Sequence, residues 1–175
     1  MRLLPLVCCL AFSLVGTAVA QTPTAAKPAA KPAAPKAASA KSQAASAKGA
    51  RTVEITAGDT MKFDTTDIDA KRGETLHIVL KNVGTMPKIA MGHNFVLLKL
   101  GTDVVEFNTA AFNARETDFV PPSMKTAVIA NTTLSGPGET VETTFKVPAA
   151  AGKYPFLCSF PGHFALGMRG NLNVK

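Results

Sequence analysis

The sequence is poor in cysteine and aromatic residues, with three Cys, one Tyr and no Trp. No patch of interleaved basic and aromatic residues occurs, so nothing in the chain predicts nucleic-acid binding. Because Cys8 and Cys9 lie in a segment that we expect to be removed, the mature protein would keep only Cys158. Exported proteins normally pair their cysteines, so a lone thiol must be buried, reactive by design or bound to a metal.

The first 20 residues have the pattern of a secretory signal peptide. A basic residue, Arg2, precedes an apolar run, and the segment ends in Ala-Val-Ala, which predicts cleavage after Ala20. The alternative is a retained membrane anchor, but the apolar run is short beside the roughly 20 residues that a span requires. A lipidation site at Cys8 or Cys9 would lack the small residues that such a site needs. We therefore expect a periplasmic or otherwise exported protein.

Residues 21–50 consist almost wholly of Ala, Pro, Lys, Ser and Thr, and they predict a flexible linker. The linker and the signal peptide hold six of the 19 Lys and Arg residues and none of the 12 acidic ones. Residues 51–175, which we interpret as one domain, are therefore nearly neutral. The lysines of the linker either contact an anionic surface or membrane, or simply keep a spacer solvated.

Short alternating segments separated by Gly and Pro predict an all-β domain built as a sandwich of two sheets. Between residues 108 and 119 the pattern changes to one that suits a short helical insertion, which Pro121 and Pro122 would stop. The predicted strands cover residues 53–56, 61–64, 75–83, 94–100, 126–130, 141–147, 153–158 and 170–174.

One Gly- and Pro-containing loop near the end of the chain carries Cys158, His163 and Met168. Thiolate and thioether groups favour copper(I) and imidazole accepts either oxidation state, so two His, one Cys and a weak axial Met make a blue-copper site. The second imidazole would come from His93, before a predicted strand. Each residue alone has an ordinary structural explanation, but together they predict one copper ion. His77 alternates with apolar neighbours, and we interpret it as structural or solvent-facing.

Two segments resemble the copper-binding segments of azurins: MPKIAMGHNFVL at residues 86–97 and CSFPGHFAL at residues 158–166. The resemblance covers most of residues 52–175 and implies a cupredoxin, a Greek-key β-sandwich with one type 1 copper. Four residues separate His163 from Met168, where azurins have three, and this spacing is similar to that of auracyanins. The early disulfide of azurins has no counterpart here. The chain is thus azurin/auracyanin-like.

The resemblance also implies roles around the ligands. The Gly92 carbonyl would be a second, weak axial contact. Asn94 would tie the two ligand segments together near Ser159, and the N–H groups of Asn94 and Phe160 would point at the Cys158 sulfur. Electrons would pass through the edge of His163. An apolar patch for partner docking would surround that edge and comprise Met86, Ala90, Met91, Phe160, Pro161, Gly162, Phe164 and Ala165.

These features predict a monomeric one-electron carrier that serves transient redox partner proteins such as cytochromes or copper enzymes. The sequence shows neither a second His cluster nor a nucleophile–base pair nor a phosphate-binding loop, so we do not expect an enzyme. The alternative is a module for copper storage or delivery, although such modules usually favour sites rich in Met or Cys.

Overall fold

A computed structural model describes residues 49–175; the predicted signal peptide and nearly all of the predicted linker lie outside the described residues. Eight strands form two sheets, which confirms the predicted all-β sandwich. The strands are β1 (Arg51–Ala57), β2 (Asp67–Ala70), β3 (Thr75–Asn82), β4 (Val96–Leu98), β5 (Val128–Asn131), β6 (Thr140–Lys146), β7 (Gly152–Leu157) and β8 (Arg169–Val174).

The smaller sheet has the order β1-β3-β6, and the larger has the order β2-β8-β7-β4-β5. Two pairs are parallel, β1 with β3 and β2 with β8, and the remaining neighbours are antiparallel. The antiparallel β7–β8 pair matters most for the site, because its connecting loop spans residues 158–168. The start of β4 lies beside the end of β7, with Val96 opposite Leu157.

The main core lies between the two sheets. Alternate residues of β3, namely Leu76, Ile78 and Leu80, are fully buried, as the period of two in a strand requires. From the larger sheet, Phe156 packs at the centre with its ring 5.0 Å from that of Phe95. Cys158 and Met168 belong to the same cluster of buried residues, so two of the predicted ligands are set in the core.

A second apolar cluster lies on the outer face of the larger sheet, under helix α2 (Val104–Ala111). Phe107 of this helix is fully buried with Val96 and Leu98. All three residues of β4 are therefore buried, and its sequence is a continuous apolar run with no alternation of apolar and polar residues.

The helical insertion begins at Val104, before the predicted residue 108, because Asp103 caps it by accepting from the N–H groups of Val105 and Glu106. Helix α2 ends at Ala111, and the rest of the predicted insertion holds one 3₁₀ segment, Arg115–Thr117. A second 3₁₀ segment, Pro122–Ala127, follows the insertion and begins at the second of the two prolines that we expected to stop it.

One strand prediction was wrong, and one strand was not predicted. Residues 61–64 make only one isolated bridge, Phe63 to Ala57, because Met61 has a left-handed backbone with φ of 53° that interrupts the extended run. Residues 67–70, which carry only two apolar side chains, form β2 through pairing with β8.

His77 has a structural position: it is buried on β3, and its Nε2 lies 3.2 Å from Glu142. No helix between residues 49 and 175 is long and apolar enough to cross a bilayer.

Candidate metal centre

The β7–β8 loop carries three of the predicted ligands, and its backbone hydrogen bonds hold them together. Cys158 N–H donates to the carbonyl of Met168 over 3.1 Å, and Met168 N–H donates to the carbonyl of His163 over 3.0 Å. His163 N–H donates in turn to the Phe160 carbonyl. Gly162 and Gly167 have φ of 87° and 93°, values that favour glycine, and they allow the loop to close in so few residues.

His93 belongs to a different segment of the chain from the β7–β8 loop. It follows the short helix α1 (Lys88–Met91) and Gly92, and it precedes β4. A side chain at Gly92 would come within 2.8 Å of both Leu134 and the Lys88 carbonyl, so only glycine fits this turn. The His93 backbone forms an isolated antiparallel bridge to Ser135.

The metal-binding atoms of His93, Cys158 and His163 all lie within 4.8 Å of one another, and all three residues are buried. Sγ of Cys158 is 3.5 Å from Nδ1 of His163, and the two imidazole rings are 4.9 Å apart. Both ring nitrogens of His93 are buried without a hydrogen-bond partner in the described part of the chain. A buried imidazole without a partner is costly in an apolar core and is the state expected of a metal ligand, so these residues fit copper.

Burial sets the protonation state of the free ligands. It raises the pKa of the Cys158 thiol to about 12, against the opposing effect of the N–H groups of Asn94 and Phe160. Burial, followed by repulsion from His93, lowers the pKa of His163 to about 4. The pKa of His93 is also lowered, mainly by burial, while the Gly58 carbonyl and Asp59 carboxylate act against the shift. Without metal near neutral pH, the site therefore contains a thiol and two neutral imidazoles.

Asn94 connects the two ligand segments in the predicted way. Its Oδ1 accepts from Ser159 N–H over 2.9 Å, and its Nδ2 donates to Ser159 Oγ over 2.9 Å. Nδ2 also donates to the Asp118 carbonyl over 2.7 Å, which attaches the helical insertion to the same point. The structure thus brings Asn94, Ser159 and Phe160 next to the sulfur of Cys158.

Comparison with known proteins agrees with this chemistry. A family model described as "Copper binding proteins, plastocyanin/azurin family" matches residues 50–175. The chain belongs to the plastocyanin/azurin family. As a cupredoxin with a buried His–Cys–His group, it uses one copper ion.

Relatives and solved structures cover the same domain. This cupredoxin is 41% identical over 128 residues to outer membrane protein H.8 of Neisseria meningitidis serogroup B, covering 71% of this chain and 67% of that protein. It is 37% identical to the azurin of Pseudomonas fluorescens biotype C, covering 70% and 97%. The structure of auracyanin A, described as a "blue" copper protein from Chloroflexus aurantiacus, matches with a TM-score of 0.65 and 34% identity, covering 73% and 100%.

Not all of the predicted docking patch lies at the surface of the cupredoxin. Phe164 is only 9% exposed, because it packs in the cluster under α2 and Arg169 lies over its ring at 5.0 Å. Phe160 is also buried, between Phe119 and the His163 ring. His163 itself is 2% exposed, less than the accessible edge that we expected. Met86, Ala90 and Ala165 are exposed, and Met91, Pro161 and Gly162 are partly exposed.

Sequence reasoning missed several residues at the site. Ile89 is 72% exposed on the segment before His93, and Leu166 is 52% exposed on the loop after His163. Both are apolar and adjoin predicted members of the docking patch, so the sequence could have assigned them to it. Ser135 bonds to the His93 carbonyl from 42 residues away, and Asn82 bonds in turn to the Ser135 carbonyl. Nothing in the local pattern of either residue indicated these contacts.

Proposed function

We propose that the protein is an exported one-electron carrier with a mononuclear type 1 copper site. The observation that carries the proposal is the buried convergence of one Cys and two His donor atoms within 4.8 Å. Copper bound there would supply a couple between two oxidation states one electron apart. A thiolate with two imidazoles is the ligand set that stabilises both states of such a couple.

In this proposal His93, Cys158 and His163 are the strong ligands. Met168 would be a weak fourth ligand, since it is fully buried in the ligand loop and its backbone is bonded to those of Cys158 and His163. The Gly92 carbonyl would be a further weak contact. Gly92 is buried next to His93, as such a role requires.

The site suits electron transfer because its ligands have little freedom to move. Each proposed ligand residue is almost completely buried. Hydrogen bonds join the backbones of Cys158, His163 and Met168 directly, and the His93 backbone is bonded to Ser135. A rigid ligand set needs little rearrangement when the oxidation state changes. The same burial keeps the ligand residues away from solvent, so we propose a carrier and not an enzyme.

Partner proteins would dock on the apolar surface around His163. We define this docking patch by its exposed side chains, Met86, Ile89, Ala90, Ala165 and Leu166. A small apolar patch of this kind suits transient redox interfaces, which bury little area and separate quickly. We propose that a monomer uses it with redox proteins such as cytochromes or copper enzymes.

The N-terminal segments complete the proposal. Residues 1–20 would direct export and be removed, residues 21–50 would form the linker, and residues 51–175 would form the cupredoxin domain. The name of the Neisseria relative, an outer membrane protein, is compatible with export. Mass spectrometry of the protein secreted by its own host would find Gln21 as the first residue; retention of Met1 would contradict the proposal.

The first test is a titration of the purified mature protein with copper(II), followed by visible absorption and EPR. We expect an intense blue band and a narrow copper hyperfine splitting, both lost in Cys158→Ser and in His93→Gln. His77→Gln is the matched control, because His77 is also a buried histidine but lies outside the cluster. A pale spectrum that does not depend on Cys158 would refute the site.

The docking patch has its own test. Ile89→Asp and Leu166→Asp should slow electron exchange with a redox partner and leave the blue spectrum unchanged. Leu100→Asp is the control, since Leu100 is an exposed leucine beyond the far end of β4 from His93. Equal rates for all three variants would refute the patch. Transfer of copper(I) to an acceptor protein without reversible redox cycling would instead support copper delivery.

A further inference from the structure

We infer that Ser135, supported by Asn82, is a positioning residue that tunes the copper site through the peptide group between His93 and Asn94. The inference rests on the proposed copper ligands. Ser135 lies in the turn before β6, touches none of the ligand atoms in the cluster, and is fully buried.

Ser135 holds the His93 main chain by three hydrogen bonds. His93 N–H donates to the Ser135 carbonyl over 3.0 Å, and Ser135 N–H donates to the His93 carbonyl over 2.7 Å. The Ser135 hydroxyl donates to the same His93 carbonyl over 2.8 Å. This carbonyl therefore accepts two hydrogen bonds, and only one of them depends on the side chain.

Asn82 fixes Ser135 from the opposite side. Its Nδ2 donates to the Ser135 carbonyl over 3.2 Å in a buried contact. Its Oδ1 accepts from Gly84 N–H over 2.9 Å, and its main chain exchanges hydrogen bonds with Gly138 and Glu139. The end of β3 thus holds the main chain of the turn that contains Ser135, and this keeps the Ser135 side chain beside the His93 carbonyl.

The His93–Asn94 peptide group links this arrangement to the copper thiolate. A peptide group is planar, so its C=O and N–H must rotate together. The C=O accepts from Ser135. The N–H of the same group belongs to Asn94, whose side chain is bonded to Ser159, the residue after Cys158, and this N–H acts against the rise in the pKa of the Cys158 thiol. A hydrogen bond to a C=O also polarises the N–H of the same peptide and strengthens its donation.

Removal of the Ser135 hydroxyl should therefore weaken the Asn94 N–H contact with the sulfur. A thiolate with weaker hydrogen bonds donates more charge and favours copper(II), so the reduction potential should fall. A weakened but unbroken hydrogen bond should change the equilibrium by about threefold, below the roughly tenfold effect of a complete loss. At 59 mV per tenfold change for one electron, threefold corresponds to about 30 mV.

The test compares Ser135→Ala with Ser135→Thr, which keeps the hydroxyl, and with Ser123→Ala, which removes an exposed serine from a 3₁₀ segment. We expect Ser135→Ala to change the ratio of oxidised to reduced protein about threefold, which corresponds to a reduction potential lower by about 30 mV. The blue band should move to lower energy, and hydrogen exchange at Asn94 N–H should be faster in the metal-free protein. The two other variants should match the wild type.

A wild-type potential, band and Asn94 exchange rate in Ser135→Ala would overturn the inference, even if the variant were less stable. Should Ser135→Ala lose copper, the same three measurements on Ser135→Cys, of nearly the same size but a weaker donor, decide the question. A wild-type protein without a blue band would refute the copper site itself, whereas a blue wild type with an unresponsive Ser135 would refute only this inference.

Discussion

Asn94 offers the sharpest test of how the two ligand segments are joined. The side chain is fully buried and makes three hydrogen bonds of 2.7 to 2.9 Å, two with Ser159 and one with the Asp118 carbonyl. Asn94→Ala would leave Ser159 N–H and the Asp118 carbonyl without these partners. The variant would also open a small cavity between the segments.

The expected loss follows from the groups left without partners. A buried polar group that loses its partner costs about 1 to 3 kcal/mol, so two such groups predict a loss of about 2 to 6 kcal/mol in the free energy of unfolding. Ser159→Ala should cost only about 1 kcal/mol, because the backbone bond from Ser159 N–H to Asn94 Oδ1 remains.

Urea unfolding of the metal-free protein measures these losses, with Asn113→Ala as the control for an exposed asparagine. The double variant should lose less than the sum of the two single variants, because both remove the same contact. The blue band of the copper-loaded Asn94→Ala protein should also shift, since Asn94 lies between the ligands. A loss below about 0.5 kcal/mol, the level of an ordinary surface change, would refute the idea that this side chain joins the segments.

Three further predictions concern the core and the titrating ligands. Phe164→Ala should lower the free energy of unfolding by about 3 to 5 kcal/mol, because the ring packs under α2; a loss below 1 kcal/mol in urea would show that it behaves as a surface residue. With the Cys158 pKa at about 12, copper binding at pH 7.5 should release one proton, measurable by calorimetry in two buffers of different ionisation enthalpy; no buffer dependence would contradict a buried thiol. The pKa of His163 is about 4 in the folded chain and 6.5 in the reference state, so between these values the unfolded chain binds more protons. His163 alone should therefore contribute a loss of up to about 3 kcal/mol in the stability of the metal-free protein as pH falls from 6.5 to 4, and urea unfolding should show a smaller loss in His163→Gln.

Sequence alone determined the features that depend on neighbouring residues. Alternation and turn residues gave most of the strands, because the side-chain period of a strand is local. Cys158, His163 and Met168 were recognisable together since one loop carries them all. His93 was proposed as the second imidazole from its place before a predicted strand. The resemblance of residues 86–97 and 158–166 to azurins led to the family, which comparison then confirmed.

Tertiary structure decided what depends on contacts between distant segments. β2 forms because β8 lies beside it, and β4 is buried on both faces because α2 covers it. Phe164 has the same apolar character as its exposed neighbour Leu166, and only the position of α2 assigns one to the core and the other to the surface.

The residues that hold His93 in place show most clearly what the sequence could not predict. Ser135 lies 42 residues from His93, and Asn82 lies 53 residues from Ser135. Neither has a local pattern that distinguishes it from an ordinary turn or strand-end residue. A hydrogen bond depends on where two atoms meet in the folded chain. The sequence could therefore indicate the proposed ligands of this site, while only the fold determined which residues hold His93 in place.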